Sequence, residues 1–267
     1  MFQSPGPIAL NLGPLSIHWY GILIGLAIVI CYSLITLEAK RRKLDTKHIE
    51  NMAFWLVLGG VVGARLYFVV FNLDYFIEFP LDIFKTWKGG LAIHGALIGG
   101  AAAYFIYVFR NHLKWTLYAD LIMPGMLLAQ GIGRWGNFFN NEAFGAPTDL
   151  PWKLFIPVAS RPQGYEQFMY FQPTFLYESL WNFLGFALLF VLARKIYPAT
   201  SNFKHTGYIF FTYLIWYSIG RFFIEAMRLD SLYLGPLRAA QVASVCLFIF
   251  GCLGLLFLLK KTKITTR

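Results

Sequence analysis

Charged residues and cysteines are scarce in this sequence. Charged residues make up only 13% of the 267 residues, and hydrophobic residues make up 58%, whereas soluble domains usually have about a quarter charged residues. The three cysteines, Cys31, Cys246 and Cys252, all stand in apolar runs, and their spacing matches neither a metal site nor a disulfide pair. These shortages argue against an ordinary soluble domain and against a cysteine-based metal or redox centre.

Apolar runs of roughly 20 residues recur along the chain, which is about the length that crosses the hydrocarbon of a bilayer as a helix. They predict an all-α, polytopic membrane protein, because only helices and closed barrels satisfy the backbone in lipid. Seven transmembrane helices are expected, at about 17–37, 52–71, 90–109, 116–134, 173–193, 207–227 and 237–259.

Basic residues are unevenly distributed between the two sides of these spans. The connections after spans one, three and five, together with the C-terminal tail, hold 14 of the 23 basic residues, including Lys204 and Arg267, whereas the opposite side holds six. Because cytoplasmic loops carry the excess of Lys and Arg, the N-terminus is predicted outside and the C-terminus in the cytoplasm. The odd number of spans requires the same arrangement.

Two connections on the predicted outer side are long, namely 72–89 and 135–172. The second contains four prolines and is too polar to span, so it is expected to form a small external segment between spans four and five. The whole chain is otherwise interpreted as a single transmembrane helical domain, residues 1–267.

Small residues spaced by four recur within the spans, and such rows let helix backbones approach closely in lipid. We therefore expect packing surfaces, rather than chemistry, at these positions. The rows are Gly21 with Gly25, Gly59 with Gly63, Gly95 with Gly99 and Ala103, and Gly125 with Ala129 and Gly133.

Ionisable residues inside membrane spans are costly and usually functional. With the predicted orientation, most of them lie in the outer half of their spans, which indicates a polar site open to the outer leaflet rather than a conduction path. They are Arg65, His94, Arg134, Glu178, Arg221 and Glu225, with Tyr20 at a similar depth. Asp120, at the inner end of span four, is instead predicted to lie at the membrane interface.

The stretch Gly131–Gly145 groups an arginine, three asparagines and a glutamate among four glycines. A hydrophilic surface loop would explain the asparagines but not Arg134 at the end of an apolar helix. In span six, Arg221 and Glu225 are spaced by four, so they share a helix face and can pair. A purely structural ion pair is the alternative, but the additional Arg134 and Arg65 predict a net positive cluster suited to a phosphate.

In span three, His94 stands beside Gly95. A histidine hydrogen-bonded within the bundle is one interpretation. A general base at the outward site is the other.

Four segments resemble the prolipoprotein diacylglyceryl transferase family, and the resemblance runs through the whole chain. They are Ser16-Ile-His-Trp-Tyr20-Gly-Ile-Leu, Gly89-Gly-Leu-Ala-Ile-His94-Gly95-Ala-Leu-Ile-Gly-Gly100, Gly133-Arg134-Trp-Gly-Asn137-Phe-Phe-Asn140-Asn141-Glu142-Ala-Phe-Gly145 and Gly220-Arg221-Phe-Phe-Ile-Glu225-Ala-Met-Arg228. The block at 133–145 is the most specific of the four.

The resemblance implies an enzyme of the bacterial inner membrane that moves a diacylglyceryl group from phosphatidylglycerol to the lipobox cysteine thiol of a preprolipoprotein. A thioether forms and glycerol phosphate leaves. The active site would face the periplasmic side, and no nucleic acid, metal or nucleotide cofactor is expected.

The resemblance also implies roles for individual residues. Arg134 and Arg221 would hold the phosphate, and His94, Glu142 and Glu225 are the candidates for the base that takes the thiol proton. Glu225 would orient Arg221. Substrate contacts are expected from Tyr20, Asn137, Asn140 and Gly145, the last through a special backbone angle or close approach.

Two other classes compete with this interpretation. A transporter of phospholipids or other anions predicts polar groups in the inner half of the bundle or paired discontinuous helices, and the sequence shows neither feature. A structural assembly protein with a bound lipid leaves the row of Arg221 and Glu225 unexplained.

Overall fold

A computed structural model describes residues 1–13, 15–199, 203 and 206–265, and most of these residues are helical. Lys204 and Arg267, two of the basic residues predicted on the inner side, lie outside the described residues. The helices of the described chain are α1 Trp19–Arg41, α2 Thr46–Val70, α3 Leu73–Glu78, α4 Ile93–Arg110, α5 Trp115–Asn140, α6 Thr174–Ile196, α7 Tyr208–Met227 and α8 Ala239–Thr265.

Within the described residues, five helices are long and apolar enough to cross a membrane, namely α1, α2, α4, α6 and α8. The two other long helices, α5 and α7, contain Arg134 and the Arg221–Glu225 pair, and these charges lower their hydropathy. Many apolar side chains on the spanning helices are exposed, for example Val29 and Phe257, as lipid-facing surfaces require. The predicted helical membrane class is confirmed.

The chain divides into two compact units, Ala39–Tyr118 and Met1–Glu38 with Ala119–Arg267. In the first unit, α2 and α4 pack closely through glycine. A Cβ atom built on Gly59 would lie 2.7 Å from Ala103 Cβ and 2.8 Å from Gly99 O, and one on Gly63 would lie 2.8 Å from Gly99 Cα. The predicted close approach of small-residue rows is therefore confirmed for these two helices.

The same prediction is wrong for other small residues. Cβ atoms built on Gly21, Gly25 or Gly133 would meet no described atom within 4 Å. The glycines of α1 lie on exposed helix surface, so no neighbouring backbone of the described chain uses the space they leave. A four-residue spacing alone does not tell a packing face from a lipid face.

Arg65 organises the connection that follows α2 in the first unit. This connection contains α3 and two short 3₁₀ turns, Pro80–Phe84 and Thr86–Lys88. Four N–H groups of the Arg65 guanidinium donate hydrogen bonds to the backbone carbonyls of Asp82, Ile83, Gly89 and Gly90. The guanidinium also lies 5.2 Å from the centre of the Phe76 ring. The predicted contribution of Arg65 to an anion site is wrong, because its donors stabilise this loop.

In the second unit, α5, α6 and α7 share a hydrophobic core that includes Leu127, Leu189 and Ile209. Trp181 of α6 and Trp216 of α7 stack with ring centres 4.3 Å apart. Each indole donates its N–H to the backbone carbonyl of the other tryptophan, at 3.1 and 3.2 Å. This reciprocal pair fixes α6 against α7 one turn from the residues that carry charge.

Asp120 is fully buried within the second unit, and its position at the membrane interface stays a prediction. Its carboxylate accepts hydrogen bonds from the Tyr197 hydroxyl and from the backbone N–H groups of Gly207 and Phe210. The last two belong to the start of α7, where unpaired N–H groups favour an anion. Asp120 is therefore a cap for α7.

The segment predicted to be external, residues 135–172, is helical at its start, because α5 continues to Asn140. Beyond it, strand β4 Leu154–Phe155 pairs in parallel with β1 Phe2–Gln3 and antiparallel with β5 Tyr170–Phe171. Phe138, Phe144, Ile156, Phe171 and Phe175 bury a small aromatic core there. Two hairpins complete the unit, β2 Ile8–Leu12 with β3 Leu15–His18, and β6 Tyr233–Leu234 with β7 Leu237–Arg238.

Candidate active site

Charged side chains from α5, α6 and α7 meet in the second unit. Arg134 stands near the end of α5, Glu178 in the first turns of α6, and Arg221 and Glu225 one turn apart near the end of α7. Since residues four apart lie on one helix face, α7 presents Arg221 and Glu225 together. The stacked tryptophans Trp181 and Trp216 hold α6 and α7 at the distance that lets these charges meet.

The charges form one continuous network. Arg134 Nη2 lies 2.6 Å from Glu178 Oε1, and Arg221 Nη1 lies 3.2 Å from Glu178 Oε2. Arg221 Nη2 in turn lies 2.6 Å from Glu225 Oε2. The predicted pair of Arg221 and Glu225 is confirmed, and one carboxylate of α6 joins the two arginines named by the sequence.

The network extends past α7 through Arg228 and Asp230, which were not among the predicted site residues. Arg228 Nη1 lies 3.8 Å from Glu225 Oε2, and Arg228 donates to both carboxylate oxygens of Asp230 at 3.0 Å. Asp230 also accepts the backbone N–H of Ala143 at 3.2 Å. Arg228 was visible as the next residue on the Arg221 face. No sequence pattern indicated Asp230, because only the fold brings it close to Ala143.

The asparagines of the 133–145 block connect Arg134 to Glu142. Arg134 Nη1 donates to Asn137 Oδ1 at 3.3 Å, and Asn137 Nδ2 donates to Glu142 Oε1 at 2.8 Å. Asn140 Nδ2 reaches the same oxygen at 3.3 Å. The turn after α5 aims Glu142 back at the helix, because Asn141 on one side and Ala143 on the other adopt left-handed backbone angles, φ 54° and 55°.

Gly145 makes the predicted close approach to a neighbouring segment. Its backbone angle is ordinary, because its φ is not positive. It pairs with Arg228 in an isolated antiparallel bridge, and its N–H donates to Gln172 O at 2.9 Å. A Cβ atom there would lie 2.9 Å from Met227 O. The missing side chain lets the loop after α5 pack against the end of α7.

The contact between Arg228 and Asp230 shifts the pKa values of both groups. Burial raises the pKa of the Asp230 carboxyl, but the hydrogen bonds and charge of Arg228 outweigh it and hold that pKa below its ordinary value. Burial lowers the pKa of the Arg228 guanidinium, yet Asp230 and Glu225 raise it above its usual range. Both groups are therefore charged at neutral pH.

Tyr20 and His94 occupy different units. The ring of Tyr20 packs on α5 at Gly136, where any Cβ atom would collide with it, so Tyr20 contacts that helix two residues from Arg134. His94 belongs to the Ala39–Tyr118 unit. It is exposed at the start of α4, with its ring centre 5.9 Å from that of Tyr67.

The network is balanced in charge rather than positive as predicted. Among the described residues, the ion pairs of the network join three arginines to three carboxylates: Arg134, Arg221 and Arg228 to Glu178, Glu225 and Asp230. The arginine side chains remain more accessible than the glutamates: Arg134 is 22% and Arg221 14% exposed, against 6% for Glu178 and 4% for Glu225. An incoming anion would thus meet guanidinium groups first, with the carboxylates behind them.

The fold and this network define a class: a helical, multi-pass membrane protein with a largely buried arginine–carboxylate site. Comparison with known proteins identifies the family. The family model of prolipoprotein diacylglyceryl transferase matches residues 7–257. The chain therefore belongs to the prolipoprotein diacylglyceryl transferase family, and the resemblance seen in the sequence is confirmed.

Similar proteins cover almost the whole chain. A phosphatidylglycerol–prolipoprotein diacylglyceryl transferase of Synechococcus elongatus is 49% identical over 257 residues, 96% of this chain and 89% of the relative. Enzymes with the same name from Trichormus variabilis and a Synechocystis strain are both 46% identical, over 97% of this chain and 91% and 92% of their own lengths.

Proposed function

We propose that this protein transfers the diacylglyceryl group of phosphatidylglycerol to the lipobox cysteine of a preprolipoprotein, the first step of lipoprotein maturation. The cysteine sulfur forms a bond to the glyceryl carbon, the bond from that carbon to the phosphate oxygen breaks, and glycerol phosphate leaves. The thiol proton passes to a base on the enzyme. The observation that carries this proposal is the pair of arginines, Arg134 and Arg221, joined at Glu178.

The two arginines suit the phosphate of the donor. Guanidinium groups bind phosphate oxygens through a planar fork of N–H donors. As the carbon–oxygen bond breaks, negative charge grows on the leaving phosphate, and donors already in place stabilise that charge without reorganising. Glu225 orients Arg221 at 2.6 Å. Asn137, Asn140 and Glu142 position Arg134 and the head group through their shared hydrogen bonds.

Three groups are candidates for the base that takes the thiol proton: His94, Glu142 and Glu225. The thiolate is the reactive form of a cysteine, so removal of that proton is required. Glu225 is engaged by Arg221, and Glu142 accepts from two asparagine amides. His94 is exposed at the start of α4. Tyr20 and Gly145 complete the proposed binding residues, the first from α1 and the second through its contact with the end of α7.

We propose a single transmembrane domain with seven spans, the N-terminus outside and the C-terminus in the cytoplasm of a bacterial inner membrane. The two long helices beyond the five apolar ones, α5 and α7, hold Arg134 and the Arg221–Glu225 pair and bring the number of spans to seven. The uneven distribution of Lys and Arg supports the orientation. With it, the network opens toward the periplasmic leaflet, and the partners are phosphatidylglycerol and the signal peptide of the precursor, with no nucleic acid.

Transfer is tested with purified protein, phosphatidylglycerol and a synthetic peptide that contains one lipobox cysteine. Mass spectrometry of the peptide should show the mass of one diacylglyceryl group on that cysteine, and Arg134→Ala and Arg221→Ala should abolish the gain. Arg110→Ala removes an exposed arginine at the end of α4 and is the matched control. Loss of phosphatidylglycerol from one leaflet without any gain on the peptide would support a transporter instead.

A further inference from the structure

Glu178 occupies the centre of the network, although no role was assigned to it from the sequence. It lies in the second turn of α6 and is buried. Its Oε1 is 2.6 Å from Arg134 Nη2 and its Oε2 is 3.2 Å from Arg221 Nη1. A single buried carboxylate thus contacts both arginines from a third helix.

We infer that Glu178 is a positioning residue that sets the spacing of Arg134 and Arg221 and limits how tightly they hold the phosphate. The inference rests on the proposed transferase function and deepens it. Glu178 itself touches neither the glyceryl carbon nor the thiol, and acts through the two arginines.

The two arginines depend on Glu178 to different extents. Arg221 has a second carboxylate, Glu225, at 2.6 Å on its own helix. Among the described residues, Arg134 has Glu178 as its one ion-pair partner, and its other side-chain contact is the neutral Asn137. Glu178 therefore decides the position of Arg134, while for Arg221 it fixes the direction of the guanidinium relative to α6.

The charge of Glu178 also matters for release of the product. The phosphodiester of phosphatidylglycerol carries one negative charge, whereas the phosphate monoester that leaves carries about −1.5 to −2 at neutral pH. Arg134, Arg221, Glu178 and Glu225 together carry no net charge, so this group holds a singly charged diester more readily than it retains the more highly charged monoester. Without the carboxylate of Glu178, the same group would carry one positive charge and would hold the monoester more tightly.

Glu178→Gln tests the inference, because the amide keeps the size of the side chain and removes its charge. The control is Asp149→Asn, the same chemical change at an exposed carboxylate that lies 3.5 Å from Lys153 Nζ. For each variant, kcat and KM for phosphatidylglycerol and the inhibition constant of added glycerol phosphate are measured in detergent micelles.

We expect Glu178→Gln to lower kcat by about 10-fold or more and to lower the inhibition constant of glycerol phosphate by about 10-fold. A 10-fold change in this constant has the same free energy as a pKa shift of roughly one unit. KM for phosphatidylglycerol should fall or stay unchanged. A merely structural role would reduce the amount of active enzyme and leave the inhibition constant and KM as they are.

Wild-type values of kcat and of the inhibition constant in folded Glu178→Gln would overturn the inference. If Glu178→Gln cannot be purified in folded form, Glu178→Asp is the second test of the inference. Its carboxylate is shorter by one methylene and cannot contact both guanidinium groups in the same way. Its kcat should fall while glycerol phosphate inhibition stays near wild type. Wild-type kcat in that variant would overturn the inference. Absence of transfer by wild type and Asp149→Asn would instead count against the proposed function.

Discussion

Gly145 offers a sharp test of how the loop after α5 supports the site. Alanine there would add one carbon atom 2.9 Å from Met227 O, 3.0 Å from Thr174 Cγ2 and 3.1 Å from Gln172 Cβ. Thr174 begins α6, Gln172 directly follows strand β5, and Met227 ends α7. The main chain at Met227 must move, because its carbonyl oxygen is backbone and cannot rotate away.

The size of the effect follows from the cost of overpacking. Extra methyl groups in well-packed positions cost about 1 to 3 kcal/mol. Met227 directly precedes Arg228, which reaches both Glu225 and Asp230, so a shift there displaces this part of the network. If the whole cost appears in the transition state, transfer slows about 5- to 150-fold, because each 1.36 kcal/mol is a factor of ten in rate.

The assay is the initial rate of peptide lipidation at saturating phosphatidylglycerol, with thermal unfolding of the same sample measured in parallel. Gly25→Ala is the control, since a Cβ atom on this exposed glycine of α1 would meet no described atom within 4 Å. We expect the control to transfer at the wild-type rate. A Gly145→Ala enzyme as fast as the control would refute the argument that this close approach positions the network.

Three further predictions concern other parts of the chain. If His94 is the base, His94→Gln should lower the transfer rate and abolish the acidic limb of its pH profile; an unchanged profile would remove His94 from that role. Arg228 holds the pKa of Asp230 below its ordinary value. The stability that Asp230 contributes is therefore present above about pH 4 and is lost as the pH falls through the lowered pKa. The difference in unfolding temperature between wild type and Asp230→Asn should shrink on acidification below pH 4. Gly63→Ala should destabilise the packing of α2 on α4 by about 1 to 3 kcal/mol, whereas Gly21→Ala should unfold at the wild-type temperature, since nothing described lies near it.

The helices were predictable because lipid imposes a simple length and composition on each of them. Each predicted span overlaps one of the observed long helices, and the pairing of Arg221 with Glu225 followed from helical spacing alone. The end of α5 was not predictable in the same way. Its last turns, up to Asn140, are polar and glycine-containing, so the sequence suggested a loop where the fold continues a helix.

Residues that depend on contacts between distant segments were the ones missed or misjudged. Asp230 is 87 residues from Ala143 in the chain, yet it accepts the N–H of that residue. Arg65 was counted as part of an anion site because an arginine in a span is unusual, but its donors are used by carbonyls up to 25 residues away. Neither partner could be read from local spacing, because each arises from where a loop returns in space.

The balanced charge of the network limits how the site would bind phosphate. A positive cluster would attract any anion, whereas the observed network already satisfies its arginines with Glu178 and Glu225. A phosphate must therefore share these guanidinium groups with buried carboxylates, and it can do so because each guanidinium has five donors in a fixed fork. Binding by sharing favours a ligand of modest charge placed at the spacing of the two arginines. That condition fits a phosphodiester head group held at a fixed depth in the bilayer better than a free, more highly charged phosphate.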